Sequence, residues 1–94
     1  MTPEKKVKNK VCEILKAHDC YYFYASTGGY GASGIPDIVA CYKGNFIGIE
    51  CKANGNRPTA LQNKHLNNIK KAQGYSMVID ETDIDALELF LETL

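Results

Sequence analysis

Two acids and a lysine in the middle of the sequence have the residue types and spacing to hold a divalent metal ion. Asp37 follows Pro36 at the start of one predicted strand, and Glu50-Cys51-Lys52 closes the next. Alternate side chains of a strand share a face, so the Glu50 carboxylate and the Lys52 amine point the same way. Carboxylate oxygens bind hard divalent cations, and an amine beside such an ion can assist a water or steady a phosphate charge. The pattern therefore suits metal-assisted hydrolysis of a phosphodiester.

The hairpin between these two strands decides whether Asp37 joins the other two side chains. We predict a two-residue turn at Gly44-Asn45, a dipeptide that favours tight hairpins. In that register Asp37 pairs with Lys52, and all three side chains converge, whereas a turn one residue longer would put Asp37 on the other side. The alternative interpretation is a cross-strand ion pair between Asp37 and Lys52, which contributes less than about 1 kcal/mol. The opposite face would hold uncharged residues able to pack on a helix: Ile38, Ala40, Tyr42, Ile47, Ile49 and Cys51.

Further oxygen ligands and a polar helper can be proposed around this pair of strands. The backbone carbonyl of Cys51, or that of the neighbouring Ile49, could complete the oxygen shell of the ion. Gln62 falls on the inward face of the second predicted helix, where its amide needs a polar partner. A water on the ion, a phosphate oxygen or a plain backbone group would each serve as that partner.

A third carboxylate can come from the first helix. Glu4 lies on the apolar stripe that also carries Val7 and Val11, whereas Glu13 lies near the opposite, lysine-bearing side. The first strand also runs back along this helix, which brings its end toward the helix start. Glu4, rather than Glu13, is therefore the predicted helix-one ligand, the alternative being a frayed N-terminal acid with no role.

The elements that must position these residues follow the order αβββαβα. A helix is predicted from about residue 3 to 18, capped by Thr2 with Pro3 in its first turn. Strands are predicted at 20–25, 36–42, 46–52 and 75–79, and a glycine-rich loop that includes Tyr30 at 26–34. A second helix spans 58–73, and Thr82 caps the last one. The pattern predicts one α/β domain over residues 1–94, with a mixed four-stranded sheet between helices.

The charges are unevenly distributed along the chain. The 94 residues contain 11 bases and 11 acids, but six of the acids lie in the last fifteen residues, where there is no base. Residues 1–79 therefore hold 11 bases and five acids, which suits a polyanion or, equally, an ordinary solvated surface. The sequence shows neither a membrane span nor a secretory signal, so we expect a cytoplasmic protein. Its cysteines have no zinc or redox spacing and are expected to be small apolar fillers: Cys12, Cys20, Cys41 and Cys51.

Four short motifs together resemble the virus-type replication-repair nuclease (VRR-NUC) family of the PD-(D/E)xK nuclease superfamily. The resemblance runs from the first helix to about Asp80, and the motifs are Gly34-Ile35-Pro36-Asp37, Ile49-Glu50-Cys51-Lys52, Arg57-Pro58 and Leu61-Gln62. It implies a restriction-endonuclease-like core, a Mg²⁺ or Mn²⁺ cofactor and cleavage of DNA phosphodiesters. It also implies roles for five residues: metal binding by Asp37 and Glu50, catalysis by Lys52, water placement by Gln62 and the helix-one acid by Glu4. Cys51 stands where aliphatic residues are usual.

Short stand-alone members of this family, typical of phages, resemble homodimeric Holliday-junction resolvases. The resemblance therefore implies a homodimer that cuts four-way junctions, in the host cytoplasm if a phage encodes it. A two-fold pair of sites suits a junction cut in two symmetric strands. A flap or other branched-DNA nuclease, a non-catalytic nucleic-acid-binding module, and a protein-interaction domain docking through Leu89, Phe90 and Leu94 are the alternatives. The glycine loop with Tyr30 could close over a strand, and phosphate contacts could come from Lys5, Lys6, Lys8, Lys10, Lys43, Arg57, Lys64, Lys70 and Lys71.

Overall fold

The computed structural model describes residues 1–25 and 33–94, and within them the predicted order αβββαβα is confirmed. Residues 26–32, which include Tyr30 and most of the glycine-rich loop, lie outside the described part, so that prediction stays open. None of the described helices is long and apolar enough to cross a membrane. The elements are α1 (Pro3–Ala17), β1 (Tyr21–Tyr24), β2 (Ile38–Tyr42), β3 (Asn45–Cys51), α2 (Ala60–Lys71), β4 (Tyr75–Ile79) and α3 (Ile84–Glu92).

The four strands form the predicted mixed sheet, and their order within it is β1-β2-β3-β4. The pairs β1–β2 and β2–β3 are antiparallel, and α2 carries the chain across to β4, which runs parallel to β3. On one face, the buried side chains of β2 and β3 pack with apolar residues of α1 and α3. On the other face lies α2, where the Ser76 hydroxyl of β4 donates to the Leu66 carbonyl at 2.7 Å. Helices therefore cover both faces, which is the predicted α/β architecture.

The β2–β3 hairpin turns at a different pair of residues from the predicted one. Tyr42 pairs with Asn45, so the turn residues are Lys43 and Gly44, and the prediction of a Gly44-Asn45 turn is wrong. Both turn residues have positive φ, 51° and 80°, which is the type I′ geometry that favours glycine at its second position. Gly44 satisfies that preference only in the observed register. The Asn45 side chain supports the turn from outside by donating to the Tyr42 carbonyl at 3.1 Å.

This change moves the register by two residues and leaves every side chain on its predicted face. Ile38 pairs with Ile49, and one step further along the hairpin Asp37 comes opposite Glu50 instead of Lys52. The convergence of the acids is therefore retained, while the predicted Asp37–Lys52 pairing is wrong. The predicted apolar face is confirmed, because five of its six members are buried and the sixth, Tyr42, is half-buried: Ile38, Ala40, Ile47, Ile49 and Cys51.

Caps define the starts of the helices. The Thr2 hydroxyl accepts from the Lys5 N–H at 3.1 Å, which confirms the predicted cap of α1. The prediction of Thr82 as the cap of α3 is wrong, since Asp83 occupies that position. Thr82 instead donates its N–H and hydroxyl to the Asp80 carboxylate, at 2.8 and 2.6 Å, and so closes the turn between β4 and α3.

Two of the four cysteines are the apolar fillers that the sequence predicts, whereas Cys12 is half-buried and Cys41 is exposed, so the prediction is wrong for Cys41. All four are free thiols, and Cys20 and Cys51 are buried in the core. Burial raises the pKa of the Cys51 thiol to about 12, so this side chain stays protonated at neutral pH and is a poor metal ligand. Cys51 therefore faces the core, as its place on β3 predicts.

Candidate active site

Glu50 is a carboxylate in the interior of the protein, with only 1% of its surface exposed. Its Oε1 accepts a hydrogen bond from the Asp37 N–H at 3.2 Å. Its Oε2 is buried and receives no hydrogen bond from any described residue, although the Lys52 ammonium lies 3.5 Å away. A buried carboxylate oxygen without a hydrogen-bond donor costs free energy, and a bound cation would remove that cost.

The electrostatics of the site favour the protonated form of Glu50 when no ion is bound. Burial, and after it the negative charge of Asp37, raises the pKa of Glu50 to about 7, although the positive charge of Lys52 opposes the shift. A cation bound beside this carboxyl would favour its ionised form, because a neighbouring positive charge lowers the pKa of an acid. Perturbed pKa values of this kind, caused by burial together with a specific charged partner, are typical of functional sites.

Asp37 is fixed by the backbone of the neighbouring strand. Its Oδ2 accepts a hydrogen bond from the Cys51 N–H at 2.9 Å, one residue beyond Glu50. Its Oδ1 lies 3.6 Å from the ammonium of Lys8 on α1. The side chain is therefore held at one oxygen by a backbone donor, while the other oxygen is paired with the Lys8 ammonium.

Glu4 completes a group of three acids. One carboxylate oxygen each from Glu4, Asp37 and Glu50 lies within 4.8 Å of the other two. Glu13, the alternative helix-one acid, is exposed and lines a different groove with Asn54. The structure thus brings Glu4 and not Glu13 to the acids of the hairpin, as the stripe on α1 predicts.

Two glycines allow the site segments to come close to α2. Gly34 has φ +81°, and a Cβ there would lie 2.8 Å from Leu61 Cγ. A Cβ on Gly48 of β3 would lie 2.6 Å from Ile69 Cδ1 and 3.1 Å from Pro36 Cγ. The segment that leads into Asp37 is therefore packed between the first turn of α2 and the surface of β3.

Gln62 has a structural role that the sequence left open. Its side-chain oxygen accepts from the Thr59 N–H at 2.9 Å, and its own N–H donates to the Thr59 hydroxyl at 3.1 Å. These two bonds form a capping box at the start of α2. Of the three partners that the sequence analysis allows for this amide, the oxygen therefore has the backbone one, the Thr59 N–H. The amide nitrogen makes no hydrogen bond within residues 1–25 and 33–94, and the catalytic role of Gln62 stays a prediction.

Lys8 lies beside the acids, a position that the sequence analysis does not predict, since it names Lys8 only as a phosphate contact. The available signal was its spacing, since Lys8 lies four residues after Glu4 and therefore on the same side of α1. Lys8 and Lys52 now flank the acids, one beside Asp37 and one beside Glu50. The role of the Cys51 carbonyl as a metal ligand stays a prediction.

The donor set fits a hard divalent cation. It offers three carboxylates and one buried oxygen without a hydrogen bond, whereas Mg²⁺ and Mn²⁺ prefer oxygen ligands. A second group of potential ligands, formed by His18, Glu88 and Glu92, contains two exposed acids and no buried oxygen of this kind. The acids around Glu50 are therefore the stronger candidate for a metal centre within the described residues.

The docking alternative finds little support in α3. Leu89 is 65% exposed, but Phe90 is half-buried and its ring centroid lies 5.0 Å from that of Tyr75. Leu94 packs against the core. Two of the three side chains that would dock a partner protein are thus used within the chain.

Comparison with known proteins gives one curated relative and several related structures. No protein-family model matches the chain. "Putative nuclease p44" of Acyrthosiphon pisum secondary endosymbiont phage 1 is 31% identical over 81 residues, which cover 85% of this chain and 84% of that protein. A solved structure described as a VRR_NUC domain is 21% identical with a TM-score of 0.78, over 93% of this chain and 95% of the other. The Holliday junction resolvase Hjc of Archaeoglobus fulgidus is 19% identical with a TM-score of 0.56, over 79% of this chain and 63% of its own.

The fold and the arrangement of the acids define the class of protein. An antiparallel hairpin bordered by Asp37 and Lys52 is followed by a helix crossover to a strand parallel to β3, and this α/β fold is shared with the solved VRR_NUC domain and with Hjc. Within that class, the chain belongs to the VRR-NUC family. The predicted family and the predicted fold are thereby confirmed.

Proposed function

We propose that this protein is a divalent-metal-dependent DNA endonuclease that hydrolyses phosphodiester bonds, with preference for four-way junctions. The observation that carries the proposal is the group of three carboxylates within 4.8 Å, of which Glu50 has a buried oxygen without a hydrogen bond. Membership of a nuclease family, and the phage relative named as a nuclease, support the enzymatic reading over a binding module.

Glu4, Asp37 and Glu50 would hold Mg²⁺ or Mn²⁺, with the Cys51 carbonyl as a further oxygen. When bound, such an ion supplies Lewis-acid stabilisation of phosphate charge and lowers the pKa of a water. Asp37 is well placed to bind, because its Oδ2 is held by the Cys51 N–H at 2.9 Å while Oδ1 is not held by the backbone and lies 3.6 Å from the Lys8 ammonium. The site thus presents oxygen ligands that are ordered before any ion arrives, which reduces the cost of binding.

Lys52 is the residue that we propose for direct contact with the reacting groups. Its ammonium lies 3.5 Å from Glu50 Oε2 and is only 14% exposed, so it is held at the acids instead of in bulk solvent. From this position it can hydrogen-bond the attacking water or a phosphate oxygen and stabilise the negative charge that develops there. The free amide nitrogen of Gln62 is a second donor that could orient the water or a phosphate oxygen.

The substrate proposal depends on charge and on the relatives. Eight of the nine predicted phosphate-contact residues are exposed, and the ninth, Lys8, is half-buried at the site. Such contacts position DNA without reading its sequence. The structural similarity to a Holliday junction resolvase supports a four-way junction as the substrate and a homodimer as the active species, because a two-fold pair of sites matches two symmetric cuts. A flap or another branched DNA is the second candidate substrate.

The direct test is cleavage mapping on end-labelled DNA in Mg²⁺ and in Mn²⁺, comparing a four-way junction with a flap, a plain duplex and a single strand. We expect paired, symmetric cuts in the junction by the wild-type protein and no cuts in EDTA. Glu50→Gln and Lys52→Met should lose at least a hundredfold in rate while still retarding the junction in a gel. A wild-type protein that leaves all four DNAs intact in both metals would refute the endonuclease proposal.

A further inference from the structure

A lysine of α1 is paired with one oxygen of a proposed metal ligand. The Lys8 ammonium lies 3.6 Å from Asp37 Oδ1, and the side chains of Lys8 and Asp37 are 27% and 22% exposed. The pair therefore lies at the mouth of the site, open to solvent on one side. A partly exposed ion pair of this kind adds little to the stability of the fold, so stability gives little reason for it.

The two oxygens of Asp37 are used differently. Oδ2 accepts from the Cys51 N–H at 2.9 Å, which leaves Oδ1 as the oxygen that is not held by the backbone. Lys8 faces this same oxygen. The position next to Oδ1 can hold the ammonium or a divalent cation, but their charges repel one another if both lie against the same oxygen.

The other lysine of the site is arranged differently. Lys52 is 14% exposed and lies beside Glu50, whose Oε2 has no hydrogen-bond donor among the described residues. Lys8 belongs to α1, four residues after Glu4, and its side chain is partly exposed to solvent. A lysine side chain is long and flexible. The ammonium of Lys8 can therefore move outward by rotation of its side chain, while Lys52 stays with the acids.

We propose that Lys8 is an internal counter-cation that leaves Asp37 when the divalent ion binds and then contacts the DNA phosphate at the mouth of the site. This inference rests on the proposed function, because it assigns a substrate contact in the same site. Lys8 keeps Asp37 paired in the absence of the ion and supplies a positive charge for the phosphate in its presence. It therefore has opposite effects on the two steps: it weakens binding of the ion and strengthens cleavage.

The first measurement is the Mn²⁺ dissociation constant without DNA, determined by isothermal titration calorimetry at pH 8. Lys8→Met removes the competing charge, so we expect the Kd to fall by about three- to tenfold. Lys8→Arg keeps the charge, and its Kd should equal or exceed that of the wild-type protein. Lys16→Met removes a lysine from the last turn of the same helix, away from the acids, and is the matched control with an unchanged Kd. A Kd for Lys8→Met that is unchanged or higher overturns the exchange of Lys8 for the ion.

The second measurement is the single-turnover rate of junction cleavage at saturating Mn²⁺. We expect Lys8→Met to lose about tenfold or more, while Lys8→Arg keeps most of the rate and Lys16→Met keeps all of it. If Lys8→Met cuts at the wild-type rate while Glu50→Gln is inactive, the phosphate contact of Lys8 is overturned and the endonuclease proposal stands. A wild-type protein that cuts no DNA overturns the phosphate contact of Lys8 and the endonuclease proposal together. The Mn²⁺ titration still decides whether Lys8 competes with the ion.

Discussion

Glu50 shows how the burial of a single carboxylate makes the stability of the fold depend on pH. Its side chain is buried, one oxygen has no hydrogen-bond donor among the described residues, and burial together with Asp37 raises its pKa to about 7. A folded state that raises the pKa of an acid binds its proton more tightly than the unfolded chain does. The contribution of this group to stability is therefore largest below its ordinary value of 4.5 and is lost as the pH rises to about 7.

Substituting this carboxylate should stabilise the metal-free protein at high pH. In EDTA at pH 8, we expect Glu50→Gln to raise the free energy of unfolding by on the order of 1–3 kcal/mol, because the amide buries no charge. The difference between the two proteins should shrink as the pH falls below about 7, where folded wild-type protein takes up the Glu50 proton, and should be smallest below pH 4.5, where Glu50 is protonated in both the folded and the unfolded state. Urea denaturation at pH 5 and pH 8 measures it, and an equal difference at both pH values would contradict the assigned environment of Glu50.

The choice between the two acids of α1 can be tested with matched substitutions. Glu4 lies with Asp37 and Glu50, whereas Glu13 is exposed. We expect Glu4→Gln to weaken Mn²⁺ binding about tenfold or more, because it removes one of three carboxylate ligands, and Glu13→Gln to leave it unchanged. Calorimetric titration of both variants decides between them, and equal affinities for the two would rule out Glu4 as a ligand.

At the scale of elements, the site depends on close packing between the hairpin, the segment before it and α2. Gly34 and Gly48 each lie where a Cβ would come within 3 Å of a side chain of α2. Those contacts hold the chain that precedes Asp37 against the first turn of α2, where Gln62 caps the helix. Packing and site geometry are therefore coupled through small residues.

The contact at Gly48 can be measured by a double-mutant cycle. Gly48→Ala should destabilise the protein by about 1–3 kcal/mol, because its Cβ would lie 2.6 Å from Ile69 Cδ1. Ile69→Val removes that methyl group, so the double variant should recover part of the loss. The free energies of unfolding of all four proteins give the coupling, and strictly additive values would show that Ile69 does not meet this position.

One conservative substitution can distinguish the structural role of Gln62 from its proposed role in cleavage. Gln62→Glu keeps the oxygen that accepts from the Thr59 N–H and completes the capping box, so stability should change by less than about 0.5 kcal/mol. The same change removes the amide nitrogen as a donor and adds a negative charge, so cleavage should fall at least tenfold. Thermal unfolding and single-turnover rates test this, and full activity of the variant would leave Gln62 as a cap only.

At the scale of the whole molecule, the element order, the mixed sheet and the acids of the hairpin could be predicted from sequence. Successive side chains of a strand point to opposite faces, so a shift of the β2–β3 register by two residues does not change the face that each side chain takes. The exact turn could not be predicted, because Gly44-Asn45 places glycine first, as a type II′ turn prefers, whereas Lys43-Gly44 places it second, as the observed type I′ turn prefers. Lys8 was missed because its place beside Asp37 depends on how α1 packs on the sheet.

The distribution of charge across the molecule is consistent with a nucleic-acid substrate. The acids of the last fifteen residues belong to α3 and the turn before it, and the excess of bases lies in the rest of the chain. Three of the five acids outside that region are the proposed metal ligands. Apart from these three acids, the charged residues of 1–79 are therefore almost all basic, which favours association with a polyanion.

The central claim is that Glu4, Asp37 and Glu50 bind one divalent cation together. The most direct test is a crystal of the protein soaked in MnCl₂ with diffraction measured at a wavelength where manganese scatters anomalously. We expect an anomalous peak bordered by carboxylate oxygens of all three acids, with the Lys8 ammonium turned away from Asp37. A well-ordered crystal with no peak between these acids would contradict the account.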